Sequence, residues 1–411
     1  MRLLLLLLIG CASAARAEPY LDFNRGQDTG GEGWVDVIRV TSPDYRSDIA
    51  GDTTITFTAP GMTRYRALCW QIDEQGGHDE LLAKEVKLDD GKGSFVFPAA
   101  TFPHGPTNIR ILTTGPDGSR DLCELQLYNT VGTKGHSGIP DTDPAGAEGM
   151  TLVFRDDFDG PLSISRDGKD ATYNAHKPRF GDFSGWPFAD PDHANEPVRQ
   201  RDSYLNIAAR KPEGDDRGST GLIATVAMDG TGFWANPPFY AEVRMTAQSA
   251  PGTWPAFWTI TALDQGSVGD ELDIVEAYGG LGKGNPNHPG YSVVGHFWNQ
   301  KDDNGQDLPH PNKVIPVTEL GNRSYFSTTF HTYGLRVGGS DTVYYYDDLE
   351  VFRHPTGEYS KNPHCLLINY AIGGISGWKI DLERYDNGSD LWIDYLRVYQ
   401  TDPAVVREER K

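Results

Sequence analysis

The chain has 411 residues, 58 acidic side chains against 37 basic ones, and a formal net charge of −21. That length exceeds one ordinary sandwich and suits two domains. The charge argues against nucleic acid and anionic membrane surfaces as partners, and no run of apolar residues is long enough to span a bilayer.

The first residues read as a signal peptide over 1–17. Arg2 opens it, residues 3–9 are apolar, and Ala15-Arg16-Ala17 has the small-x-small form of a cleavage site. Leu8-Ile9-Gly10-Cys11 resembles a bacterial lipobox, so anchoring through Cys11 is the alternative to free secretion or a periplasmic location.

Residues 18–130 form the first predicted domain. Short alternating segments at 53–58, 65–72, 81–88, 93–97, 107–113 and 122–128 are separated by turn signals such as Asp90-Gly91 and Pro116-Asp117-Gly118. This spacing predicts a small immunoglobulin-like β-sandwich, with Trp70 as a candidate core residue. Export permits a disulfide between Cys69 and Cys123, and Cys365 reads as a buried free thiol. Residues 131–149, rich in Gly and Pro, are a linker.

A second strand-rich domain follows over 150–401, with strands expected at 204–209, 240–247, 256–261, 271–278, 292–298, 331–337, 343–346, 364–371 and 392–399. Residues 402–411 are a charged tail. The whole is all-β.

The densest chemical signal is Glu271-Leu272-Asp273-Ile274-Val275-Glu276. In a regular strand Glu271 and Asp273 share a face and Glu276 points away. A β-bulge between Asp273 and Glu276 restores a common face. Four effective steps then set the two Glu backbones roughly 13 Å apart. With a reach of about 4 Å for each side chain, the carboxyls approach roughly 5 Å, the separation of a retaining rather than an inverting glycosidase. Three like charges so close must share at least one proton. The pattern leaves open which Glu attacks and which donates, and an acidic strand edge or a calcium site would use the same residues.

The surroundings favour a carbohydrate groove. Trp254 and Trp258 precede the carboxylates, His296, Trp298 and Asn299 follow, and Trp186, Trp234 and Trp378 lie in glycine-rich stretches. Indole faces stack on sugar rings.

Together these residues resemble glycoside hydrolase family 16, in its laminarinase-like branch. Five segments carry the resemblance in order: 153–160, 252–258, the block Gly269-Asp270-Glu271-Leu272-Asp273-Ile274-Val275-Glu276, 366–374 and 393–400. It implies a concanavalin-like β-jelly roll and retaining endo-hydrolysis of a β-linked polysaccharide. By that resemblance Glu271 is the nucleophile, Asp273 assists, and Glu276 is the acid/base. Trp254, Trp258, His296, Trp298, Asn369 and Trp378 are then substrate-binding. No cofactor enters the chemistry, but Asp394 matches a structural Ca2+ ligand, whereas Asp157 stands where the opening motif usually has Glu. The chain departs from the pattern at Leu222, where the family often has Arg or Lys, and over 279–289.

The substrate expected is β-1,3-glucan or a related bacterial exopolysaccharide, acted on by a monomer. Transglycosylation, galactan cleavage and non-catalytic glycan binding are the alternatives.

Overall fold

The computed structural model describes residues 33–73, 76–132, 142–179, 181–264, 266–280, 285, 290–321 and 324–402. The signal-peptide reading, Cys11, residues 133–141 of the linker and residues 403–411 lie outside them. Among the described residues no helix is long and apolar enough to cross a membrane.

The first two sheets use strands between Arg39 and Asn129. A three-stranded sheet runs in the order Arg39–Ser42, Thr53–Thr58, Lys92–Phe97. A five-stranded sheet runs Asp48–Ile49, Arg120–Asn129, Gly105–Thr114, Arg64–Asp73, Gly76–Lys87. Lys92–Phe97 alternates exposed and buried residues, as a sheet with one wet face should. Ile55, Phe57, Phe95 and Phe97 from this sheet pack with Cys69, Ile109, Ile111 and Leu125 from the other.

Arg120–Asn129 differs, being buried at every position but the first. Cys123, Leu125 and Leu127 face the core between the sheets, whereas Glu124, Gln126 and Tyr128 face the second domain. The Gln126 amide donates to Asp390 O at 2.9 Å and accepts from Asp390 N at 3.0 Å. Arg384 reaches back to Asp121 at 3.0 Å, and Arg201 forms a bidentate pair with Asp48 at 2.7 Å. Buried polar groups demand partners, and here the partners come from the other domain.

Two expectations for this domain are corrected. Trp70 is half-buried on the outer face rather than in the core, because its neighbour Cys69 takes the inward position. Cys69 and Cys123 form no disulfide. They stand on strands of one sheet with Gly105–Thr114 between them. Two strand spacings are roughly 9.5 Å, beyond the reach of about 7 Å between bridged Cα atoms.

The second domain is two facing sheets. The site sheet runs Ile164–Ser165, Tyr173–Asn174, Leu222–Ala224, Cys365–Ile372, Thr253–Ile260, Gly269–Glu276, Gly290–Trp298, Asn312–Pro316. Below, Thr253–Ile260 is the tryptophan strand, Gly269–Glu276 the carboxylate strand, Gly290–Trp298 the histidine strand and Cys365–Ile372 the asparagine strand. The back sheet runs Val198–Arg201, Tyr204–Arg210, Gly388–Gln400, Phe239–Ala247, His331–Val337, Asp341–Tyr346, Leu349–Pro355, and Thr151–Asp156 also pairs with Gly388–Gln400. Phe257, Leu272, Ile274, Val275, Ile368 and Tyr370 line the interior between the sheets. A separate apolar cluster on the other face of the site sheet contains Leu222, Ala224, Trp254, Ala256, Trp258, Ile260, Leu367 and Ala371. That second cluster is the floor of the site.

Cys69, Cys123 and Cys365 are buried, and burial pushes their thiols up to about 12, 11 and 12. All three should resist Ellman's reagent in the folded protein and react once guanidinium unfolds it. Reducing agent should leave the melting temperature unchanged, and a fall would show a bridge that the sheet geometry excludes.

Candidate active site

The site starts from an irregularity in one strand. Along the tryptophan strand Ile260 faces Glu271, Thr259 faces Leu272 and Trp258 faces Asp273, but the next residue, Phe257, faces Val275 and Ala256 faces Glu276. Ile274 has no opposite number. The histidine strand shows the same shift between Asp273 and Glu276. One extra residue is absorbed there, and Ile274 and Val275 are both buried in the core. Glu271, Asp273 and Glu276 therefore emerge on one face, spaced by four regular steps of the neighbouring strand from Ile260 to Ala256.

Each carboxylate meets its own donors. Trp298 Nε1 donates to Glu271 Oε2 at 3.1 Å. Asp273 Oδ2 lies 3.1 Å from His296 Nε2, and His296 Nδ1 lies 2.8 Å from His310 Nδ1. Trp298 stacks on His296 with 8° between the ring planes, which holds both in place. Glu276 Oε1 accepts from Trp254 Nε1 at 3.2 Å and from Tyr278 OH at 3.4 Å. Trp258 is almost wholly buried and donates from Nε1 to Asn369 Oδ1 at 2.8 Å, while Asn369 Nδ2 donates to Trp254 O. Trp258 and Asn369 thus fix the floor.

Trp254, Tyr278 and Trp378 form a stack, with centroids 5.5 Å and then 4.6 Å apart. Trp186 lies in the core, and Trp234 packs half-buried beside the floor cluster. The groove comprises two adjoining clefts of about 410 and 470 Å³. Lys177, Phe183, Glu271, Trp298 and Ile375 border both. Ile375 is 80% exposed at the lip, the most exposed large apolar side chain among the described residues.

Four contributors were not anticipated. Tyr278 could have been found, since it lies two residues beyond Glu276 on the same side. Lys177, Phe183 and His310 come from loops with no local signature. Lys177 Nζ sits 4.9 Å from the Trp258 ring centroid. Burial lowers the Lys177 pKa, while Glu271 and Asp273 raise it. It supplies a cation to a groove whose floor has Leu222 where an Arg or Lys was the expected type.

Burial dominates the electrostatics. The Glu276 carboxyl is pushed up to about 8, first by loss of solvent and then by Asp273 and Glu271, with His296 opposing. Asp273 is raised well above the ordinary range by burial and by Glu271, with Lys177 opposing. Glu276 thus keeps its proton at neutral pH, and the upward shift of Asp273 works in the same direction, against three charges on one face.

Asp394 does not present a calcium site. Its Oδ2 accepts from Arg244 Nη1 at 2.5 Å, and Asp157 is held by Arg155 and by Arg397 at 3.0 Å. Arginines occupy the oxygens that a hard cation would need, and no role for the ion is derived. The oxygens of Glu271 and Asp273 and a ring nitrogen of His296 lie within 4.8 Å of one another, a group that the hydrogen bonds above already account for.

No protein-family model matches the chain. Over 163 residues it is 31% identical to the endo-1,3-1,4-beta-glycanase ExsH of Rhizobium meliloti (strain 1021), covering 40% of this chain and 30% of that protein. The domain resembles the laminarinase-like enzymes of glycoside hydrolase family 16. Endo-1,3-1,4-beta-glycanase EglC of the same organism is 25% identical over 277 residues, covering 62% of this chain and 52% of that protein. Glucan endo-1,3-beta-glucosidase A1 of Niallia circulans is 28% identical over 300 residues, covering 64% and 39%. The chain thus spans between 30% and 52% of the length of these relatives. Among solved structures, SCLam, a non-specific endo-beta-1,3(4)-glucanase from family GH16, matches at 21% identity and a TM-score of 0.48, over 63% of this chain and 95% of that one. The laminarinase catalytic domain from Thermotoga petrophila RKU-1 matches at 18% identity and 0.47, over 61% and 98%.

A raised carboxyl pKa in this laminarinase-like domain has a stability consequence. The folded state keeps Glu276 protonated while the unfolded chain ionises it. The penalty is absent below the ordinary value of 4.5, grows as pH rises, and is complete above about 8. Glu276→Gln should therefore match the wild type in melting temperature near pH 4 and exceed it by about 5 °C or more near pH 8.5. Equal melting temperatures at both pH values would show that the side chain is not desolvated.

Proposed function

We propose that the chain is an endo-acting β-glycanase that cleaves a β-linked glucan with retention, through a covalent glycosyl-enzyme intermediate. The observation that carries this is the common face of Glu271 and Glu276, separated by four strand steps and held in different protonation environments. Four steps set the backbones roughly 13 Å apart, so inward-leaning side chains bring the carboxyls to the roughly 5 Å of a retaining pair.

Glu271 attacks the anomeric carbon. The Trp298 indole N–H steadies one of its oxygens and leaves the other for bond formation. Glu276, protonated by burial, donates to the departing glycosidic oxygen. Now a carboxylate, it takes a proton from the water that hydrolyses the intermediate. Asp273, whose proton affinity is raised by burial and by Glu271, lies between the two glutamates on the same strand. His296 and His310 fix its orientation. Trp254, Tyr278 and Trp378 stack on one another and stiffen the cleft around Glu276, and Trp298, 43% exposed, offers a face for a sugar ring beside Glu271.

The curated relatives are named for β-1,3 and β-1,3-1,4 activities, which supports a glucan containing β-1,3 bonds. The N-terminal three-plus-five sandwich is assigned as an immunoglobulin-like accessory domain, and the whole as a secreted or periplasmic monomer.

Glu271→Ala should lower kcat on the best glucan by about three to four orders of magnitude while preserving binding. Proton NMR of the first product should show the β-anomer before mutarotation. Unimpaired turnover by that variant, or an initial α-anomer, would overturn the assignment. For the wild type, kcat/KM should fall on the alkaline side with an apparent pKa near 8, as Glu276 loses its proton. A profile flat to pH 10 would remove Glu276 as the acid.

A further inference from the structure

A densely bonded buried carboxylate outside the groove belongs to the other domain. Glu124, 1% exposed, leaves its own sandwich and enters the second domain behind the groove. Its Oε2 accepts from Ser249 N at 2.7 Å and from Asn108 Nδ2 at 3.0 Å, and its Oε1 accepts from Ser327 Oγ at 2.5 Å. Its backbone carbonyl accepts from Gln248 Nε2 at 2.6 Å.

These partners lead to one place. Ser249 Oγ accepts from Gly280 N at 3.1 Å, two residues beyond Tyr278. Ser327 closes the segment that carries Tyr325, whose hydroxyl donates to Tyr278 O at 3.0 Å. The segment has no slack. A Cβ on Gly279 would meet Thr253 Oγ1 at 2.0 Å and Ala250 O at 2.3 Å. Gly279 N also donates to Thr253 O at 2.9 Å, at the start of the tryptophan strand. Tyr278 is thereby held on one side through Gly280 by Ser249, which Glu124 binds, and on the other by Tyr325, two residues before the Ser327 that Glu124 binds. Its ring lies against Trp254, and both donate to Glu276.

We infer that the N-terminal sandwich is a positioning element of the catalytic groove, with Glu124 acting through Ser249 and Ser327 to hold Tyr278 and Trp254 against Glu276. The domain is then neither a sugar-binding module nor a spacer, because its contribution passes through a buried hydrogen-bond network rather than an exposed aromatic face. Glu124 is a positioning residue and touches no substrate. The inference rests on Glu276 being the acid, and its test includes a readout that does not need turnover.

The full chain serves for all variants. Ser249→Ala removes the acceptor for Gly280 N but keeps the donor to Glu124, so it should fold normally. Glu124→Ala strips three buried donors of their acceptor, while Glu124→Gln keeps the shape and most of the bonds. Arg201→Ala breaks a contact between the same two domains that involves Asp48 and the Tyr128 ring and none of Glu124, Ser249, Ser327 or Tyr278. Ser249→Ala and Glu124→Ala should lower kcat about tenfold with KM changed much less, and Glu124→Gln should recover most of the loss. Arg201→Ala should match the wild type.

A fluorescence titration read through Trp254 should place the Glu276 transition about one pH unit lower in Ser249→Ala, as looser packing readmits water. Glu276→Gln, which should abolish the transition, identifies it. Wild-type behaviour of Ser249→Ala in both assays overturns the inference. Equal losses in Ser249→Ala and Arg201→Ala also overturn it, since that would show general loosening of the two domains. If the wild type turns over no glucan but the titration shifts as expected, the functional assignment fails and the positioning role stands.

Discussion

The site depends on one extra residue in one strand. Without the bulge at Ile274, strand alternation would send Glu276 into the interior, where an acid between two apolar sheets is costly. With it, Ile274 and Val275 both reach the core and three carboxyls reach the groove. The apolar residues enforce the bulge as much as the acids exploit it. Leu272, Ile274 and Val275 can all be buried only if one of them gives up its place in the ladder.

From that geometry the electrostatics follow. Three acids on one face of a buried sheet cannot all be charged, so the protein discriminates among them by environment. Trp254 and Tyr278 enclose Glu276, Asp273 lies beneath the His296–Trp298 stack, and Glu271 opens toward both clefts. The indole N–H groups of Trp254 and Trp298 each serve one glutamate. The same aromatic rings therefore line the cleft and hold the glutamates, which ties the shape of the groove to the position of the carboxyls.

The two domains are joined through a polar surface that neither could leave bare. Glu124 and Gln126 alternate with Leu125 and Leu127, the pattern of a strand with one wet face. In the folded chain that face is covered, and its polar groups find partners at Ser249, Ser327 and Asp390. Glu124 is bonded from three directions, which makes the docking specific in angle as well as in place.

Strand pattern made much of this legible. Strand-like segments such as 53–58, 204–209 and 331–337 were readable, as was the need for an irregularity between Asp273 and Glu276. The strands that escaped are short or lie toward sheet edges, such as Val198–Arg201, Asn312–Pro316 and Leu349–Pro355, where half-exposed polar residues blur the period. The local sequence determined which residues could carry acid chemistry and on which strand, because side-chain alternation is a property of neighbours in the chain. Only the tertiary structure decided how those acids hold their protons, that Lys177 and His310 join them, and that Cys69 and Cys123 stay apart. It also decided that Glu124 is buried. Desolvation, loop convergence and strand order all depend on what other parts of the chain bring near, and no local pattern records that.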